Sequence, residues 1–499
     1  MLPVTFKKPA AIAALVVFFA HALGNPHYGF YQDELYFIVC GRRPDWGYVD
    51  QPPLVPLLAA LTQLPGHSLF VLRLLPALFD AGAVYVTYLL ALEIGGGEYA
   101  GLLAALTTAL TPVLAAFGTK VSTDMPGLLL WPLAALAVAR IVNGGDARLW
   151  LAAGAALGVA AESKFTAFFY AAAVTGGVAL SPVRRILATP WFAGAVAVGA
   201  ILALPSVVWQ ALHGFPILEM LVNQQRNVIA LHTPLGALLQ QIFVTNPLLA
   251  PIWIAGLIFA FRQPRWRWIG WTYATLIALT IALKGRNYYA GDVYPIVISA
   301  GAVAIERLYV QVRTRAAVTA YVALAGALAM PFVLPILPEP RLAAIIVSGR
   351  DLMPVRLANE RHDDAVLTDN FAGMHGWPEM TAEVAAVYHS LPDAQRVRAA
   401  ILAKNADEAS ALTFYGSAYG LPAPISGRNN YWLWGPRDYD GSVVIEVGAP
   451  CEPGFRRQRI ALRFTDAWAT LSEENVPISI CYGLREPLAR YWPRLRTFI

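Results

Sequence analysis

Apolar runs of membrane-spanning character recur through the first two thirds of the chain and stop near residue 337. They lie near 8–25, 69–92, 99–118, 125–142, 149–161, 165–180, 190–210, 246–261, 267–284, 293–310 and 316–337. About 20 apolar residues let a helix cross a hydrocarbon layer of ~30 Å. Inside lipid only helices or closed barrels satisfy the backbone. The pattern therefore predicts a mainly α, polytopic membrane protein with about eleven transmembrane helices. With 57 % hydrophobic and only 14 % charged residues, the composition agrees. The first run, roughly Ala10–Leu23 behind Lys7 and Lys8, lacks a small-residue cleavage site and reads as an uncleaved signal anchor. A net charge of +5 without a basic stripe gives no footprint for nucleic acid. Cys40, Cys451 and Cys481 show no CxxC or metal-ligand spacing, and whether Cys451 and Cys481 pair is left open. His27, His213, His232 and His375 stand apart from one another and read as isolated polar groups.

Positive charge sets the orientation. With the N-terminus inside, Lys7/Lys8, Arg140/Arg148, Arg184/Arg185, Arg262/Arg265/Arg267 and Arg307/Arg313/Arg315 all fall on inner loops or their flanks. Treating 149–180 as one helix would turn two of those clusters outward, so two short helices are expected there. The outer segments are then 26–68, 119–124, 162–164, 211–245, 285–292 and 338–499. Within 211–245, Phe215–Val222 and Pro234–Ile242 are amphipathic at helical spacing around a flexible loop, Asn223 to Thr233, and read as interfacial helices. Charges beside lipid are costly and mark sites by default. Five polar stretches gather on this outer face: Asp33-Glu34, Asp50-Gln51-Pro52-Pro53, Lys120 to Asp124, Glu162-Ser163-Lys164 and Lys284 to Tyr289. Such a gathering suits chemistry at the water–lipid boundary.

After Pro338 charges become frequent. Short β-rich runs appear at Ala365–Thr368, Val397–Leu402, Ser442–Val447, Ile460–Phe464 and Ile478–Cys481, with helical patterns at 378–391 and 406–416. The chain thus divides into a membrane domain, 1–337, and a soluble α/β domain, 338–499. No GxGxxG follows a strand and no GxxxxGK[ST] occurs, so nucleotide use finds no support.

Each polar stretch also has a structural reading. Asp33 can cap a surface helix running to Cys40, with Glu34 in its first turn. The prolines after Asp50-Gln51 suit a helix start. Lys120 can snorkel while Asp124 caps the next span. Lys164 can hold a phosphate or pair with Glu162. Arg286, Tyr288 and Tyr289 can anchor at the interface, or serve as a phosphate fork and sugar-stacking faces. Gly427 to Gly435, with its Asn and Trp residues, is either a carbohydrate surface or a turn into a packed strand.

Tyr31-Gln32-Asp33-Glu34 in the first outer loop, followed by Asp50-Gln51-Pro52-Pro53-Leu54, resembles the protein O-mannosyltransferase and aminoarabinose-transferase group of GT-C glycosyltransferases. The likeness covers about residues 10–335. It implies an inverting transferase that uses a polyprenyl-phosphate sugar, with Asp33 as the catalytic carboxylate beside Glu34. Asp50 and Gln51 match the second motif, although the family often has His or Lys where Gln51 stands. Lys120 and Asp124 match a basic residue and an Asp near the lipid phosphate. Ser163-Lys164-Phe165-Thr166 stands where the family has Thr-Lys-Gly-Pro. Lys284, Arg286, Tyr288 and Tyr289 match the last outer loop before Tyr294-Pro295. The resemblance implies as partners a lipid-linked sugar donor, a glycan, lipid or protein acceptor, and the bilayer of a plasma membrane with its site outside. The sequence requires no cofactor and leaves a divalent cation open. The rival reading is a transporter or flippase of lipid-linked glycans. Transporters, however, bind near the midplane with broken helices, whereas these charges sit at one face. A protein that merely senses or docks through its α/β domain would not need the five polar stretches.

Overall fold

A computed structural model describes residues 7–225, 233–349, 366–469 and 475–499. The centre of the 223–233 loop, together with His232 and Ala365, lies outside the described residues. A helix occupies every one of the expected apolar runs. The count of eleven full spans does not follow from their lengths, however. Among the described residues, five helices are long and apolar enough to cross a membrane: Leu69–Glu93, Met125–Val142, Pro190–Leu212, Asn287–Leu308 and Val312–Phe332. A sixth forms if Glu98–Ala109 and Pro112–Thr119, bent by 63°, act as one. Leu149–Ala161 and Thr166–Ala179 are separate helices of 13 and 14 residues. At 1.5 Å per residue each reaches only about 20 Å.

Contacts divide the chain into two compact units. The first comprises Met1–Pro26, Phe70–Val208 and Val228–Ile336. Its core is built on small residues that bring helix backbones together. Gly256 abuts the Val297 carbonyl, Gly301 abuts the Ile252 carbonyl, and Gly154 abuts Ala195, leaving no room for a side chain at any of the three. Trp131 stacks on Tyr170 with centroids 4.2 Å apart, both rings buried. The helices Lys8–Gly24, Pro190–Leu212 and Val312–Ala329 leave apolar side chains such as Ile12, Leu204 and Leu324 exposed, as lipid-facing surfaces require.

The second unit joins His27–Leu69 and Trp209–Asn227 to Leu337–Ile499. Its five-stranded sheet runs β2-β1-β3-β5-β4, with β1 (Ala399–Ala403), β2 (Ile425–Ser426), β3 (Val443–Val447), β4 (Phe455–Phe464) and β5 (Val476–Leu484). β1 pairs in parallel with β2 and β3, setting Ile401 opposite Ile445, while β5 runs antiparallel to β3 and β4. β1 and β3 are buried along their whole length, as apolar runs without alternation predict. Helices Trp377–His389 and Ala406–Tyr415 pack against the sheet. Leu488 and Trp492 of the helix Leu488–Leu495 pack with Ala400, Leu402 and Val444. Cys451 and Cys481 form a disulfide, and Cys40 is a buried free thiol. Two strand expectations change. Residues 366–368 are bends leading into the short helix Asp369–Ala372 rather than a strand, and the two-residue β2 was not expected.

Candidate active site

Asp33, Glu34, Asp50 and Gln51 belong to the second unit, and the other expected site residues to the first. In the second unit the helix Gln32–Gly41 starts from an extended Tyr31, not from Asp33. The Tyr31 N–H donates to the Glu34 carboxylate at 2.8 Å, and Gln32 N–H donates to the Gly373 carbonyl at 3.0 Å. Glu34 is wholly buried and serves as the cap of this helix. That arrangement fixes the first turn on which Asp33, half-buried, is carried.

The Asp50 stretch is a tight turn. Tyr48 N–H donates to the Gln51 carbonyl at 2.9 Å, and the Gln210 amide donates to the Tyr48 carbonyl at 2.7 Å. Gln51 is buried at 1 % exposure, so it lines the interior of the turn rather than a surface. The Asp50 carboxylate accepts from the Tyr36 hydroxyl at 3.1 Å and from the Asn429 amide at 3.3 Å. Asn430 Oδ1 accepts from the Val49 N–H at 2.7 Å. The Asn429 amide also donates to the Ile499 carbonyl at 2.9 Å and its oxygen accepts from Ile499 N–H at 3.0 Å. The Asn-Asn pair thus grips the Asp50 turn from inside, which commits Asn429 and Asn430 to the turn rather than to a sugar. The tryptophans of that stretch are committed as well: Trp432 donates to the Trp492 carbonyl at 3.2 Å, and the Arg43 guanidinium lies 4.4 Å over Trp434.

Burial, with the Asp33 charge adding to it and hydrogen bonds opposing, pushes the Asp50 carboxyl up to about 7. The unfolded chain releases this proton near 3.8, so between those values the folded state holds the extra proton. Stability therefore falls as pH rises through the window. The expected result is a melting temperature that drops more steeply from pH 5 to pH 8 in the wild type than in Asp50→Asn. Thermal unfolding of both proteins in detergent measures it, and parallel curves would mean that Asp50 ionises as an ordinary carboxylate.

In the first unit, Lys164 occupies the break between Leu149–Ala161 and Thr166–Ala179. Its Nζ donates to both Asp124 oxygens, at 2.7 and 2.8 Å, and lies 4.4 Å over the Tyr289 ring and 5.3 Å over that of Tyr288. Burial alone would lower the ammonium's affinity for its proton; Asp124 and the two tyrosines outweigh it and hold the group firmly charged. Glu162 is not its partner. The Glu162 carboxylate accepts from the Ser206 hydroxyl at 2.9 Å. Arg286 donates to the Tyr288 hydroxyl at 3.3 Å, and the Gln241 amide donates to the Asn287 carbonyl at 2.8 Å, fastening the loop that carries both tyrosines. Asp292, unanticipated, is buried in the same loop against Gly127, where its carboxylate fills the space a Cβ would need. Its one sequence signal was an acid just ahead of Tyr294-Pro295. Lys284 is exposed at a left-handed position, φ 51°, and Lys120 is half-buried where the helix Pro112–Thr119 ends.

Among the described residues, one group of His, Cys, Asp or Glu atoms is compact enough for a metal: Glu446, Cys451 and Cys481. Its two sulfurs are bonded to each other, so they offer no thiolates.

The chain shares its fold with solved structures of ArnT. ArnT from Cupriavidus metallidurans superposes with a TM-score of 0.59 in its apo crystal structure, at 15 % identity over 95 % of this chain and 98 % of that one. Its undecaprenyl-phosphate-bound form gives 0.55 at 17 % identity, over 95 % and 97 %. Residues 50–209 match the family model described as dolichyl-phosphate-mannose-protein mannosyltransferase. Lipid A galacturonosyltransferase RgtD of Rhizobium johnstonii is 29 % identical over 186 residues, 37 % of this chain and 39 % of that protein. The match thus spans about two fifths of that curated relative. The family model thus covers 160 of the 499 residues, and the likeness to ArnT at 15–17 % identity is one of fold.

Proposed function

We propose that this protein transfers a sugar from a polyprenyl-phosphate donor to an acceptor at the extracytoplasmic face of the plasma membrane, with inversion at the anomeric carbon. The observation that carries the reading is the half-buried Asp33 on a fixed helix turn, sharing its electrostatic field with Asp50 in a chain of GT-C fold. The acceptor oxygen or nitrogen forms its bond to the anomeric carbon as the bond to the phosphate oxygen breaks. Asp33 takes the acceptor proton, and polyprenyl phosphate leaves with the electron pair. Arg286, Lys120 and Lys164 are assigned to the phosphate, where a fixed positive charge lowers the cost of charge building on the leaving group. Tyr288 and Tyr289 are assigned to the sugar face. The Cys451–Cys481 disulfide supports an extracytoplasmic position for the second unit, since such bonds persist in oxidising compartments.

A partly desolvated phosphate contact is worth roughly 1.5–3 kcal/mol, and about 1.4 kcal/mol is tenfold. Arg286→Ala and Lys120→Ala are therefore each expected to weaken donor binding by about one to two orders of magnitude. Arg286→Lys should restore part of the loss, because it keeps the charge and loses the fork. Titrating a polyprenyl-phosphate sugar into the purified wild type and the three variants decides the matter. Equal affinities in all four would leave both cations as interfacial anchors.

A further inference from the structure

In the sheet of the second unit the chain leaves β1 for β2 on one side and returns to β3 on the other. Open α/β sheets bind ligands outside the carboxyl ends of their strands where the strand order reverses in this way. Here that place is a cavity of about 200 Å³. It is lined by Ala403 and Lys404 after β1, Gly427 and Arg428 after β2, and Glu446 of β3, with Thr497 opposite. Gly427 abuts the Leu495 carbonyl, so any side chain there would displace that wall.

The lining favours an anion. Arg428 Nε donates to the Lys404 carbonyl at 3.4 Å, while its Nη1 is buried without a hydrogen-bond partner. A buried donor left in that state is costly until an acceptor arrives. The Lys404 side chain borders the same space from the solvent side. Glu446, 2 % exposed, accepts from the Glu452 N–H at 3.0 Å, and burial pushes its carboxyl up to about 8. At neutral pH it is therefore a neutral acid with a proton to donate. Asp407 and Glu408 act on the Arg428 guanidinium, and Glu452 and Arg494, which also line the cleft, are engaged elsewhere. Glu452 accepts from the Tyr491 hydroxyl at 3.1 Å, Arg494 pairs with Glu486 at 2.5 Å, and the Glu408 carboxylate accepts from the Lys404 N–H at 2.9 Å.

We propose that this cleft binds a group of about monosaccharide size bearing an oxyanion, a phosphate or a carboxylate, through Arg428 and Lys404. The volume lies below the ~300–1,000 Å³ of drug-sized sites, which limits the ligand to one sugar ring with its charged substituent. The assignment stands apart from the transfer reaction proposed above. It has a structural consequence for it, because Arg428 immediately precedes the Asn429-Asn430 grip on the Asp50 turn and pairs with Thr497 through a parallel bridge. A ligand in the cleft stiffens the segment on which that grip is built.

The test titrates the full-length protein in detergent micelles with glucose 6-phosphate, glucuronate, inorganic phosphate and glucose, followed by calorimetry. At least one of the two anionic sugars is expected to saturate, and the tighter of them identifies the anion; glucose should not bind. Arg428→Gln is expected to weaken binding at least tenfold and Lys404→Ala about threefold. Should Arg428→Gln fail to reach the wild-type melting temperature, Lys404→Ala, whose side chain is exposed, carries the comparison. Absence of saturable binding by either anionic sugar, or unchanged binding in the variants, overturns the proposal. Inorganic phosphate binding as tightly as glucose 6-phosphate overturns its sugar half.

Discussion

Asp33→Asn is expected to lower the rate of sugar transfer by about 10²- to 10⁴-fold, the usual worth of a positioned acid or base. The protein should still insert and melt like the wild type. The helix that carries Asp33 is capped by Glu34 and tied to Gly373, neither of which the substitution touches. The loss should appear in turnover, with donor affinity little changed. Single-turnover transfer to a saturating acceptor, measured beside a donor titration, separates the two quantities. Transfer at near-normal rate would end the assignment of Asp33, and attention would pass to Asp50. Glu34→Gln is the contrasting case. Its cost should fall on folding, because the Glu34 carboxylate is wholly buried in the cap.

The second large effect is expected at Lys164. Removing one partner of a buried ion pair leaves the other charge uncompensated, at a cost of about 3–5 kcal/mol, and with the Lys164 side chain 19 % exposed the lower end of that range applies. Lys164→Met should therefore depress the melting temperature strongly, with Asp124 stranded beside two tyrosine rings. Lys164→Met combined with Asp124→Asn should recover most of that stability, since the stranded carboxylate is gone. The double variant should still bind a polyprenyl-phosphate sugar weakly if Lys164 also meets the phosphate. Recovery of both stability and donor affinity would make the pair purely structural.

The membrane helices were legible because apolar length is written along the chain, and so was the break at 162–164, which charge placement demanded. Their adequacy as full spans was not, because an apolar run marks a helix without showing that its length, 13 residues in Leu149–Ala161, suffices to cross the bilayer. The polar stretches could be found as stretches, but their internal pairings could not. Glu162 and Lys164 are near neighbours in sequence, and the turn between two helices points them to different partners, Ser206 and Asp124. Nothing in a single sequence links Asn429 and Asn430 to residues 49 and 50, since that pairing is set by tertiary packing alone. Asn and Trp together suggested a sugar surface; burial instead commits them to backbone and carboxylate partners. β2 escaped for a simpler reason, two residues being too few to show a period.

The Asn429-Asn430 grip has a bearing on biogenesis. Asp50 and Asn429 are 379 residues apart. At a synthesis rate of roughly 5–20 residues per second the turn waits about 20–75 s for its partner to be made. During that interval Asp50 lacks the amide that will hold it, and Val49 lacks the acceptor for its N–H. A nascent or prematurely terminated chain therefore carries the Asp33 helix but not its finished surroundings. The Asp50 turn is therefore completed only once residues 429 and 430 have been made.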